Sequence, residues 1–133
     1  MIPMKIYFPG GKRVYADFDG FTHMTDQPTS SGERGSAPSP FELFLAAMGT
    51  CAGIYVLGFC QQRGIDTAGL EMSQSMTFNP QTHLVDTVHL EIRLPKSFPE
   101  KYRQAIVQAA QLCTVKRHLE TPPTFDIATK IAE

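Results

Sequence analysis

Alternation of apolar and polar side chains marks two stretches of the chain as half-buried strands. Over residues 70–78, Leu70, Met72, Met76 and Phe78 alternate with Glu71, Ser73, Ser75 and Thr77. Over residues 84–94, Leu84, Val88, Leu90, Ile92 and Leu94 alternate with Thr87, His89, Glu91 and Arg93. The link between them, Asn79-Pro80-Gln81-Thr82-His83, is short enough for an antiparallel hairpin. Near the start, Ile6, Tyr7 and Phe8 stand on one side of Gly10-Gly11, and Val14, Tyr15 and Phe18 on the other. That grouping of β-formers predicts a strand, a turn and a second strand over residues 4–24. Residues 125–131, behind Pro122-Pro123, read as a last strand.

Two helices are announced by their first residues. Ser39-Pro40-Phe41-Glu42 combines a capping serine, a proline at the first helical position and a glutamate three residues after the serine. A helix therefore starts at about Pro40, and Gly64, just past Arg63, is a natural stop. A second box of the same kind, Ser97-Phe98-Pro99-Glu100, opens another helix. On it Tyr102, Ile106, Ala109, Ala110 and Cys113 share one face, with Cys113 at the buried end of the stripe. Residues 26–40 are dense in Pro, Gly, Ser and Thr and read as a long surface loop, a kind of segment that often carries function. The order β-β, long helix, β-β, helix, β predicts one α+β domain over residues 1–133, without internal repeats.

The first helix has no charge from Leu43 to Cys60 and contains a Gly49/Gly53 pair, so its length meets the rule for a membrane span. Gly49, Thr50, Gly53 and Gly58, together with the lack of a basic flank on its N-terminal side, argue against one. The expectation is a helix buried on nearly all sides. One chain of 133 residues can hardly supply that cover, so a second copy is expected to complete it as a homodimer.

Charge narrows the list of partners. With 19% charged residues, a formal net charge of -1 and scattered basic positions, the chain predicts neither nucleic acid nor a membrane surface as partner. Three cysteines and no secretory leader pattern favour a reducing, cytoplasmic location. There a cysteine pair is more often redox-active or metal-binding than structural. Metal binding lacks its patterns: there is no C-x-x-C and no H-E-x-x-H, and His23, His83 and His89 fall on separate hairpins. Only His118 is near a cysteine in sequence, and it could at most polarise the surroundings of Cys113. A G-x-S-x-G elbow and a G-x-x-x-x-G-K phosphate loop are also missing, which removes serine hydrolysis and phosphate binding.

The cysteines remain. Cys60 follows Cys51 by nine residues, which places the two on opposite faces of the helix, and Cys60 reads as a small buried hydrophobe. Cys113 is remote in sequence, and spacing alone does not pair it with Cys51. A thiolate that attacks a peroxide O–O bond becomes a sulfenic acid, which a nearby thiol converts to a disulfide, without metal or organic cofactor. A neighbouring cation would favour the thiolate.

The stretch from Ser36 to Cys51, SAPSPFELFLAAMGTC, resembles the G-P-S-P-x-E-L-L-L-A-A-L-G-x-C signature of OsmC/Ohr-like proteins. Leu112-Cys113-Thr114-Val115, followed by Leu119-Glu120, resembles the second cysteine motif of that family. The resemblance implies antiparallel sheets packed around a long central helix in an intertwined homodimer. It also implies a stress-response peroxidase in which Cys51 attacks a small hydrophobic hydroperoxide, Cys113 resolves the product, and a dithiol reductant restores both. Peroxidase members carry an Arg after a G-G turn; here Gly10-Gly11 is followed by Lys12, and Arg13 is one place late. Arg34 and Arg117 are further candidates for the cation. Those members also carry a Glu ten residues before the first cysteine. Here Phe41 holds that place and Glu42, which the helix cap already explains, is one residue closer. Thr114 stands where the family usually has Pro. The alternative is a non-catalytic dimer of the same fold that binds a small hydrophobic molecule in an apolar cleft, with its cysteines only packing.

Overall fold

The computed structural model of the protein describes residues 3–32 and 35–132. Its elements are β1 (Lys5–Gly10), β2 (Arg13–Phe18), β3 (Phe21–Thr25), α1 (Pro40–Gln62), β4 (Glu71–Phe78), β5 (Val85–Arg93), α2 (Arg103–Gln111) and α3 (Thr114–Glu120). Short 3-10 helices stand at Thr29–Ser31 and Glu100–Tyr102. This is the expected α+β chain, with antiparallel sheets and one long helix. It divides into two compact units, one ending at Ala47 and the other starting at Met48.

In the first unit the expected two-stranded hairpin is a three-stranded meander, β1-β2-β3, antiparallel throughout. After Phe18 the chain turns again at Asp19-Gly20, with φ of 49° and 83°, and pairs Phe18 with Phe21. Two successive left-handed residues suit a two-residue hairpin turn, and Asp-Gly is a favoured pair for it. Reading the β-formers as two runs hid that second turn. Beyond β3 the loop folds back on Asp26, which is 1% exposed. Its carboxylate accepts from the Gln27 N–H at 2.8 Å, the Ser36 N–H at 3.0 Å and the Ser36 hydroxyl at 2.6 Å. The Asp26 N–H donates to the Pro38 carbonyl at 3.1 Å. A buried carboxylate is tolerable because each of these donors replaces lost water.

The start of α1 is as its sequence predicts. The Ser39 N–H donates to Glu42 Oε1 and the Glu42 N–H to Ser39 Oγ, both at 3.2 Å. Its end is also as expected, with Gly64 left-handed at φ 64°.

In the second unit, β4 and β5 pair antiparallel with Met72 opposite Ile92, Gln74 opposite Leu90 and Met76 opposite Val88. Val56, Phe59 and Cys60 of α1 and Ile106 of α2 form the core, against which Met72, Ile92 and Leu94 pack. Gln74 fits between the two methionines because it meets a glycine: a Cβ on Gly49 would lie 2.5 Å from Gln74 Oε1. The Arg63 guanidinium lies over the Phe59 ring, 3.7 Å from its centroid, and donates to the Phe59 carbonyl at 3.1 Å.

The rest of one chain covers α1 along a stripe through Ala52, Val56, Phe59 and Cys60, while Ile54 is 58% exposed, in keeping with the expectation that a single chain cannot supply full cover. By length and composition alone the helix could cross a membrane. Three expectations need correction. The Ser97 box does not form; the chain enters α2 through a 3-10 helix after Pro99, no side chain caps it, and Glu100 faces Arg103 at 3.5 Å. Cys113 is not the end of the α2 stripe, because α2 stops at Gln111 and Cys113 is the extended residue that starts α3. No strand forms among the described residues after α3. Phe125, Ile127 and Ile131 are 82–88% exposed, and a β-forming segment becomes a strand only along a sheet edge that bonds it.

Candidate functional site

Folding brings Cys51 and Cys113 close together, though they are far apart in sequence, near enough for one thiol to affect the ionisation of the other. Cys51 lies in α1 and is half-buried. Cys113 is 3% exposed and is the N-cap of α3, where its sulfur accepts the Lys116 N–H at 3.3 Å. Sulfur is a weak acceptor, but an orphan N–H at a helix start has few other partners. Burial pushes the Cys113 thiol up from its ordinary value. The Lys116 N–H opposes that shift, contact with Cys51 adds to it, and the Lys116 charge opposes it. Burial thus favours the neutral thiol at Cys113. Cys51 is the more exposed residue of the pair.

Two further groups tie the same elements together. Tyr55, one helical turn after Cys51, places its hydroxyl 3.0 Å from that of Thr114, the residue after Cys113. His118 Nδ1 lies 2.7 Å from the Thr114 carbonyl, and Lys116 Nζ lies 3.2 Å from Glu120 Oε1. Beside α2 is a cavity of about 350 Å³ whose walls are Leu90, Ile92, Ile106 and Val107, with Arg103 and Lys116 at its edge.

Arg13 and Glu42 have local partners of their own. Arg13 Nε donates to the Gly10 carbonyl at 3.2 Å, and its charge helps to hold Asp26 ionised. Lys12 is exposed. Glu42 is engaged in the cap of α1. Arg117 is exposed and its backbone N–H reaches the Cys113 carbonyl at 3.1 Å. Arg34 lies outside the described residues. Cys60 sits in the core, where burial raises its thiol against the smaller pull of Arg63. Among the described residues no three His, Cys, Asp or Glu side chains converge as metal ligands.

Sequence reasoning missed Lys116, Tyr55 and Thr114 as neighbours of the thiols. Signals for two of them existed: Tyr55 is four residues from Cys51 on a helix, and Lys116 is three residues after a residue that can cap.

Fold and site together define an α+β protein with two neighbouring free thiols, one on a long apolar helix and one at the start of a short helix. The model of the OsmC-like protein family matches residues 32–128, and the chain belongs to that family. No curated protein matches it in sequence. Solved structures share its fold. One is a protein of Psychrobacter arcticus 273-4 named for an osmotic stress and detoxification response, 22% identical over 88% of this chain and 87% of that one, with a TM-score of 0.74. Another is an OsmC-like protein from Mycoplasma pneumoniae, 14% identical over 90% and 87%, with a TM-score of 0.68. A third is the organic hydroperoxide resistance protein OhrB of Bacillus subtilis, 17% identical over 91% and 93%, with a TM-score of 0.56.

Proposed function

We propose that the protein is a thiol-dependent peroxidase that reduces small hydrophobic hydroperoxides. The observation that carries this reading is that folding places the Cys51 thiol close to the buried Cys113 thiol. The Cys51 sulfur, as thiolate, attacks the terminal oxygen of the hydroperoxide; the O–O bond breaks, the alcohol leaves with a proton, and Cys51 becomes a sulfenic acid. Cys113 then attacks the Cys51 sulfur, hydroxide leaves as water with the Cys113 proton, and a Cys51–Cys113 disulfide forms. A dithiol reductant returns both thiols, which requires a reducing compartment such as the cytoplasm. Membership in the OsmC-like family supports a redox role, and the Bacillus subtilis fold relative is named for resistance to organic hydroperoxides.

The working form is a homodimer. The exposed apolar side of α1 and the exposed Phe125, Ile127 and Ile131 are surfaces that a second copy would cover.

Titration with cumene hydroperoxide tests the reaction. Two thiols per chain are lost in the wild type, Cys51→Ser loses none, and Cys113→Ser accumulates a sulfenic acid that dimedone traps. A wild type that keeps all its thiols rules the peroxidase out. The second reading, a non-catalytic dimer binding a hydrophobic molecule, is favoured by the apolar cavity beside α2. It predicts ligand binding that survives Cys51→Ser.

A further inference from the structure

We infer that the Tyr55–Thr114 hydrogen bond is a positioning clamp that keeps the Cys113 sulfur within reach of Cys51 through the redox cycle. The inference rests on the peroxidase reading and assigns roles to two residues that lie outside its chemistry. The hydroxyl bond and the neighbouring thiols join the same two helices: Cys51 and Tyr55 are one turn apart on α1, and Cys113 and Thr114 are adjacent at the start of α3.

The clamp matters because the side-chain cap at this end of α3 is spent by the reaction. In the reduced protein the Cys113 sulfur caps α3 by accepting the Lys116 N–H at 3.3 Å. Once that sulfur turns to bond Cys51, its lone pairs are redirected and the cap weakens. α3 has seven residues, too few to persist on local propensity alone. A hydroxyl pair that is untouched by thiol chemistry holds the helix start in both states. Thr114 can do this where a proline could not, since proline has no side-chain donor or acceptor. Holding two sulfurs at bonding distance raises their effective concentration toward each other, and therefore favours the disulfide over the dithiol.

The test is the equilibrium of the full chain with reduced and oxidised dithiothreitol. One disulfide is exchanged for another in that reaction, and no other oxidant is needed. Tyr55→Phe and Thr114→Val should each lower the constant for Cys51–Cys113 disulfide formation by roughly three- to tenfold, the usual worth of one hydrogen bond. At 29.6 mV per tenfold that is a shift of about 15 to 30 mV towards easier reduction. The double variant should fall no further than either single one, and Thr114→Ser should restore the wild-type value, because both hydroxyls must be present for the bond to exist. Single variants at the wild-type constant, or a double variant equal to the product of the singles, overturn the clamp. A wild type that forms no disulfide overturns the peroxidase reading and the clamp together, so the two failures appear in different samples.

Discussion

Burial raises the Cys113 thiol, against the Lys116 N–H and with the help of Cys51. Burial is the largest of these effects and persists when Cys51 is replaced, so in Cys51→Ser the alkylation of Cys113 should rise only as pH passes the ordinary thiol value of about 8.5. Peptide mapping after iodoacetamide treatment measures this, and rapid labelling near neutrality would contradict it. Asp26 shifts the other way. Hydrogen bonds from Ser36, then from Gln27, hold its carboxyl below the usual value, and Arg13 adds a smaller pull. A depressed carboxyl contributes stability that is complete above the unfolded value of about 3.9 and is lost as pH falls through the folded one. The loop from Gln27 to Ser36 should therefore become protease-sensitive in acid, and Asp26→Asn should remove that pH dependence. At this scale the sequence singled out Cys51 and Cys113 through motif and chemistry, while their nearness is a product of folding that spacing did not give. The sequence was not legible for Asp26, whose burial depends on the path of the loop, or for the Tyr55–Thr114 pair, which only tertiary contact brings together.

The same contrast separates elements that carry their own start signals from those that depend on neighbours. The Ser39–Glu42 box is visible in four consecutive residues and forms with both of its reciprocal bonds. Ser39→Ala should cost about 1 kcal/mol in chemical denaturation. Glu42→Gln should cost less, since its amide oxygen can still accept from the Ser39 N–H. The identical pattern at Ser97–Glu100 fails, because Pro99 leads into a 3-10 helix instead. The alternating pattern predicted β4 and β5 well because each side of that hairpin has a distinct environment. The alternation skipped Gln74, a polar residue in the inward row that only the absence of a side chain on Gly49 admits. The break between α2 and α3 was invisible to periodicity, since Cys113 continues the spacing of the α2 stripe and yet starts a new helix.

For the molecule as a whole, two apolar features among the described residues stand out as unfinished in one chain. Ile54 of α1 is 58% exposed, and the β-forming tail carries Phe125, Ile127 and Ile131 at 82–88% exposure. The sequence pattern says that these side chains seek cover and that the tail seeks a sheet edge. It does not say whose edge, and one chain does not answer that. Sedimentation equilibrium should give twice the chain mass of 14.7 kDa, and Ile54→Glu should shift the protein towards the single-chain mass. A wild type that sediments as a single chain would remove the dimer from the proposal while leaving the thiol chemistry within one chain intact.

The position of Cys113 at the head of α3 makes its replacements unequal as experiments. Serine is a better N-cap than a thiol, so Cys113→Ser subtracts the sulfur chemistry and leaves the helix its first support. Alanine subtracts both. A phenotype common to the two variants reports on chemistry, and one peculiar to alanine reports on architecture.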